Sequence, residues 1–115
     1  MDDARIRTEQ ADLLMEAVLT LETVDDAYRF FEDLCTVAEI RSMAQRFTVA
    51  TMLRDSVKYQ EIARRTGAST ATISRVNRAR EYGADGYNRV LDAMDSAGRL
   101  NGKNDEREDD RKTEG

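Results

Sequence analysis

The absence of proline from all 115 residues is the strongest constraint on what this chain can fold into. An interior proline costs a helix about 3 kcal/mol, so a chain without one can stay helical wherever its apolar spacing favours it. Glycine is confined to the ends of apolar runs and to the C-terminal stretch, where it punctuates rather than interrupts. No sustained period-two alternation supports a sheet. The periodicity predicts six helices. The first runs from about Glu9 to Leu21, with Leu13, Leu14, Ala17, Val18 and Leu21 on one face. A second opens at Thr23-Val24-Asp25-Asp26 and carries Ala27, Phe30, Phe31 and Leu34. Thr36 and Glu39 make a capping-box pattern that opens the third and longest. Its apolar stripe is Ile40, Met43, Ala44, Phe47, Ala50 and Leu53, and it ends near Asp55-Ser56. A short fourth helix covers about Tyr59 to Arg65, and a fifth runs from Ser69 or Thr70 to Tyr82. The sixth, from about Asp85 to Ala97, buries Tyr87, Val90, Leu91 and Met94.

This layout is one all-α domain over residues 9–97. Residues 1–8 are expected to be flexible, and residues 98–115 form an acidic, charge-mixed tail expected to be disordered. No run of about 18 apolar residues exists to span a membrane. Met1-Asp2-Asp3 is acidic with no apolar run behind it, so no secretory signal is expected. The location expected is the cytoplasm. Cys35 is the only cysteine and histidine is absent. That excludes an internal disulfide and a cysteine-only zinc site, and it leaves little for acid–base or nucleophilic catalysis. No enzyme and no cofactor are expected. Cys35 reads as a small buried hydrophobe, and Met15, Met43, Met52 and Met94 as core fillers.

The net charge of −5 hides a partition. Residues 1–53 carry 5 Lys/Arg against 11 Asp/Glu, residues 54–80 carry 7 against 2, and residues 81–115 carry 6 against 10. The middle segment is therefore +5 between acidic flanks of −6 and −4. Phosphate responds to the local field, so an acidic total does not exclude DNA.

The basic segment also has the spacing of a helix-turn-helix, two short helices held across a tight turn. Ala63 is small where the second helix must pack over the first. Four residues later Gly67 can turn left-handed, and Ile62, Ala68, Ile73 and Val76 anchor the pair. Thr66 departs from the usual aliphatic residue at its position. Ser69 or Thr70 can cap the second helix. Its outward face, Ser69, Thr70, Thr72, Ser74, Arg75 and Arg78, offers hydroxyls and guanidinium groups to base edges and phosphates. Lys58, Gln60 and Arg64 flank the first helix and reach phosphate, with Arg54 and Arg65 adding attraction. The plain alternative is an amphipathic helical hairpin that serves as a protein-interaction module without specific DNA binding.

Two stretches carry a family likeness: Thr36-Val37-Ala38-Glu39-Ile40-Arg41-Ser42-Met43-Ala44-Gln45-Arg46, and Gly67-Ala68-Ser69-Thr70-Ala71-Thr72-Ile73-Ser74-Arg75. They resemble the Trp repressor superfamily. The run from Asp25 to Tyr87 looks most like its YerC/YecD branch of Trp repressor-related proteins, and the likeness spans about residues 10–95. The resemblance implies a six-helix Trp repressor-like fold. Its first three helices would intertwine between two subunits, and helices four and five would form the helix-turn-helix. It implies a homodimeric transcriptional repressor on double-stranded DNA, with a palindromic operator.

The resemblance also raises a tryptophan-like corepressor, held in the founding repressor between two arginines. Arg75 matches one by its Ala-Thr-Ile-Ser-Arg context. Arg46 matches the other if one residue is deleted near Asp55-Ser56, and Gln45 falls there otherwise. Arg46 and Arg75 are thus the candidate effector-binding residues. Val76 stands where the ligand-binding repressor has glycine, and Ala79 where it has serine. A branched side chain crowds the ring and a lost hydroxyl removes a contact. These departures favour phosphate or carboxylate as the partner of both arginines.

Overall fold

The computed structural model describes residues 3–100. Seven helices occur among them: α1 (Asp3–Ile6), α2 (Glu9–Val18), α3 (Val24–Leu34), α4 (Val37–Arg54), α5 (Tyr59–Thr66), α6 (Thr70–Tyr82) and α7 (Gly86–Ser96). No strand occurs among the described residues. The six longer helices lie within three residues of the sequence-based bounds. α1 is a single turn that the apolar spacing does not announce. The tail beyond residue 100 lies outside the described residues.

The chain divides into two compact units, residues 1–46 and 47–115, with α4 running through the boundary. In the first unit α2, α3 and α4 start on threonine hydroxyls. Thr8 Oγ1 accepts from the Ala11 N–H at 3.1 Å and Thr23 Oγ1 from the Asp26 N–H at 3.0 Å. The capping box that opens α4 is present. The Thr36 N–H donates to Glu39 Oε1 at 2.8 Å, and the Glu39 N–H donates to Thr36 Oγ1 at 3.1 Å. The Thr36 backbone N–H holds the Glu39 carboxyl below its ordinary value. Phe30 and Phe31 meet edge to face, with ring centroids 5.6 Å apart.

None of the described side chains of this unit is buried. Leu13 is 69% exposed, Leu19 84% and Tyr28 60%. Of the apolar stripe expected on α2 and α3, Leu13 and Leu34 are exposed, and Leu14, Ala17, Val18, Leu21, Ala27, Phe30 and Phe31 are half-buried. Met43 is exposed too. Cys35, the residue that ends α3, is half-buried.

The second unit contains the core. Val49, Ala50 and Met52 of α4, Ile62 of α5, Ala68 of the turn, Ile73 and Val76 of α6 and Leu91 of α7 form one buried cluster. Val49, Ile62, Ile73, Val76 and Leu91 are fully enclosed, each worth about 1.5–3 kcal/mol. Surface ion pairs contribute about 0–1 kcal/mol apiece, so the packing of these side chains fixes how α5 and α6 sit. Val90, expected on the buried side of α7, is exposed instead. Phe47 stacks on Tyr87 with centroids 6.3 Å apart.

Polar contacts tie the ends of these helices together. Arg54 donates from Nη1 to Asp92 at 2.7 Å and from Nη2 to Asp95 at 3.5 Å, joining α4 to α7. Asn88 Nδ2 donates to the Arg80 carbonyl at 2.9 Å and to Asp85 Oδ1 at 3.2 Å. Asn88 and then Arg89 lower the Asp85 carboxyl. At the end of α7 the Arg99 N–H returns to the Met94 carbonyl and the Gly98 N–H to that of Asp95, both at 2.9 Å. Gly98 is left-handed there, at φ 74, a glycine-terminated helix stop. Leu100 follows and packs against the core.

Candidate nucleic-acid interface

α5 and α6 join through a turn that the sequence specifies residue by residue. Gly67 ends α5 at φ 75, ψ 4, and its N–H bonds the Ala63 carbonyl at 2.9 Å. That conformation costs a residue with Cβ about 1–2 kcal/mol, so glycine is favoured. Thr66 supplies in polar form what an aliphatic residue would supply by packing. Its hydroxyl donates to the Ile62 carbonyl at 2.8 Å and accepts from the Ala68 N–H at 3.1 Å. Ser69, rather than Thr70, caps α6, accepting from the Thr72 N–H at 3.1 Å. The Ser69 hydroxyl donates to Thr72 Oγ1 at 3.0 Å.

Ile73 and Val76 point into the core, as the motif requires. On the other side of α6, Thr70, Arg75 and Arg78 are exposed, while Thr72 and Ser74 are half-buried. Neither Arg75 nor Arg78 has a hydrogen-bond or carboxylate partner among the described residues. Lys58 begins α5 without capping it through its side chain, and Lys58 and Gln60 are exposed.

Other cations of the basic segment are already engaged. Arg54 lies between Asp92 and Asp95 on α7, and Asp92 raises its pKa above the ordinary value. It joins α4 to α7. Arg64 reaches Glu61 with Nε at 3.0 Å and with Nη2, and Arg65 Nε reaches the same carboxylate at 2.7 Å. Arg46 is half-buried on α4 and donates to Ser42 Oγ at 3.1 Å. Arg46 belongs to the first unit and Arg75 to the second.

The family model for the Trp repressor protein matches residues 9–95. The chain belongs to the Trp repressor family. Within it, the chain is 50% identical over 90 residues to the uncharacterised protein YerC of Bacillus subtilis (strain 168), covering 78% of this chain and 86% of that one. Two crystal structures share the fold. A candidate Trp repressor from Staphylococcus aureus is 46% identical with a TM-score of 0.78, covering 83% of this chain and 95% of its own. A TrpR-like protein from Eubacterium eligens ATCC 27750 is 52% identical with a TM-score of 0.76, covering 84% and 97%. The fold of this family is that of a regulator, and α5 and α6 are its helix-turn-helix.

Family membership gives α6 a test for tryptophan. Val76, which the sequence resemblance matches to a glycine of the ligand-binding repressor, is 1% exposed and belongs to the core. Ala79, in the place of serine, has no hydroxyl to offer. Glu61 escaped the sequence reading as a site residue. Its signal was present, since Arg64 and Arg65 follow it at the three- and four-residue spacing of helix neighbours.

Proposed function

We propose that this Trp repressor family protein is a homodimeric, sequence-specific DNA-binding regulator that represses transcription from a palindromic operator. The observation that carries the reading is the division of α6. Ile73 and Val76 lock one side into the core, while Thr70, Arg75 and Arg78 stand outward, the two arginines without an internal carboxylate among the described residues. A helix so held can lie in a major groove, where arginine bonds guanine in a bidentate pair worth about 1–3 kcal/mol of discrimination. Lys58 and Gln60 on and beside α5 meet phosphate, Arg64 reaches it only on leaving Glu61, and Ser69, Thr72 and Ser74 line the approach of α6.

The dimer finds its support in the exposed apolar residues of α2 and α3, which suit burial against a second copy. Two recognition helices would then address half-sites about 34–36 Å apart. Regulation by tryptophan is not part of this reading, because Val76 and Ala79 do not fit it. Calorimetric titration with tryptophan is expected to give no heat.

The direct test is a gel shift on genomic fragments, followed by salt titration on the fragment retained. Binding should fall with salt. Arg75→Ala should lose about 1–3 kcal/mol and relax the preference at one base pair, whereas Lys58→Ala should weaken all sequences alike and reduce the salt slope by about 1. Affinity that is blind to both sequence and salt would end the proposal.

A further inference from the structure

A single carboxylate stands among the cations of α5. Glu61 lies in the first turn, and Arg64 and Arg65 lie in the last. Arg64 approaches with Nε on Glu61 Oε1 and Nη2 on Oε2, and Arg65 places its Nε on the same Oε2. Both Glu61 oxygens are occupied, Oε1 by Arg64 and Oε2 by Arg64 and Arg65. The Glu61 side chain is 34% exposed, against 66% for Arg64 and 25% for Arg65. Arg64 and then Arg65 pull its carboxyl down to about 2. Glu61 is therefore ionised at every pH near neutral.

We infer that Glu61 is an internal counter-ion that holds Arg64 and Arg65 back from phosphate, and thereby sets how tightly and how salt-dependently this helix-turn-helix grips DNA. The inference rests on the DNA-binding reading above. An arginine that moves onto phosphate releases salt ions from the duplex, and this release drives sequence-independent affinity. An arginine already facing a carboxylate must either leave it or carry that negative charge towards the phosphates, which repel it. Arg75 and Arg78 face no such choice among the described residues. The chain thus has two sets of cations: those of α6 are ready for DNA, and those of α5 are restrained. Because an exposed ion pair is weak, phosphate competes with Glu61 by degrees, and the restraint moderates binding without abolishing it.

The test compares full-length wild type, Glu61→Gln, Arg64→Ala/Arg65→Ala and the triple variant, with unchanged helicity checked by circular dichroism. Each is titrated with a random-sequence duplex over a salt series and eluted by salt from immobilised heparin. Glu61→Gln should bind the duplex roughly 2- to 5-fold more tightly at low salt, the worth of one exposed ion pair. Its log–log salt slope should steepen by about 0.9 for each arginine that moves to phosphate. It should also leave heparin at higher salt. No gain should remain when both arginines are alanine. An unchanged affinity and slope in Glu61→Gln would overturn the inference. So would a gain that persists without the arginines, since simple repulsion by the acid would then explain it. If wild type holds heparin but no duplex, the DNA reading fails by itself, and the heparin elution of Glu61→Gln still decides the counter-ion.

Discussion

At the scale of single residues, three glycines play three different parts. A Cβ on Gly83 would lie 2.5 Å from the Ala79 carbonyl oxygen, which accepts the Gly83 N–H at 3.0 Å. Gly83→Ala must push that turn apart and should cost about 1–3 kcal/mol in urea unfolding, the range for overpacking. Gly86 opens α7 with nothing within 4 Å of such an atom. There alanine should be neutral or raise stability by up to about 1 kcal/mol, because it restricts the unfolded chain. Gly67 is fixed by its left-handed φ. Glu61 makes a different prediction at this scale. Its carboxyl lies near 2 when folded against an ordinary 4.5, so its ion pairs stabilise the protein fully above about 4.5. That stabilisation is lost as pH falls towards 2, where the carboxylate takes up a proton. Any melting-temperature advantage of wild type over Glu61→Gln should shrink across this window and stay constant above it.

Helices and turns were legible in the sequence where their causes are local. The Thr36–Glu39 box, the Gly67 turn and a hydroxyl cap on α6 each depend on atoms within three or four residues, and each formed as the pattern predicts. The anchors Ile62, Ala68, Ile73 and Val76 were legible for the same reason, since helical period assigns them one face. What remained hidden depends on distance along the chain or on a choice between partners. Arg54 meets Asp92 across 38 residues, and no spacing rule reveals that a basic residue beside a basic helix will turn to α7. Ser56 and Asp85 adopt left-handed φ values of 63 and 68 without being glycine, a turn geometry that composition does not encode. The candidate contacts on α6 follow from periodicity alone, whereas the pairing within α5 required coordinates to separate restrained from available arginines. Arg54→Ala should therefore lower the melting temperature while leaving the salt slope of DNA binding unchanged. The reverse pattern in paired melting and anisotropy measurements would return Arg54 to the binding face.

For the whole molecule, the contrast between the two units matters most. Residues 47–100 enclose eight buried apolar side chains, whereas residues 5–46 enclose none. Apolar period alone could not show this, because a stripe on a helix looks the same whether its cover comes from the same chain or from another. If a second copy supplies the cover, Leu13→Asp should shift sedimentation equilibrium towards monomer and lower the melting temperature. A monomeric wild type at high concentration would instead leave these faces for a different protein.

The two-sidedness of α6 also bears on how such a protein can change over generations. Ile73 and Val76 belong wholly to the interior, and Thr70, Arg75 and Arg78 take no part in it. If these outer residues meet DNA as proposed, substitutions there can accumulate without loosening the scaffold, and a lineage built on this helix can acquire new targets while keeping its fold. Heritable novelty in recognition is thereby uncoupled from the risk of misfolding.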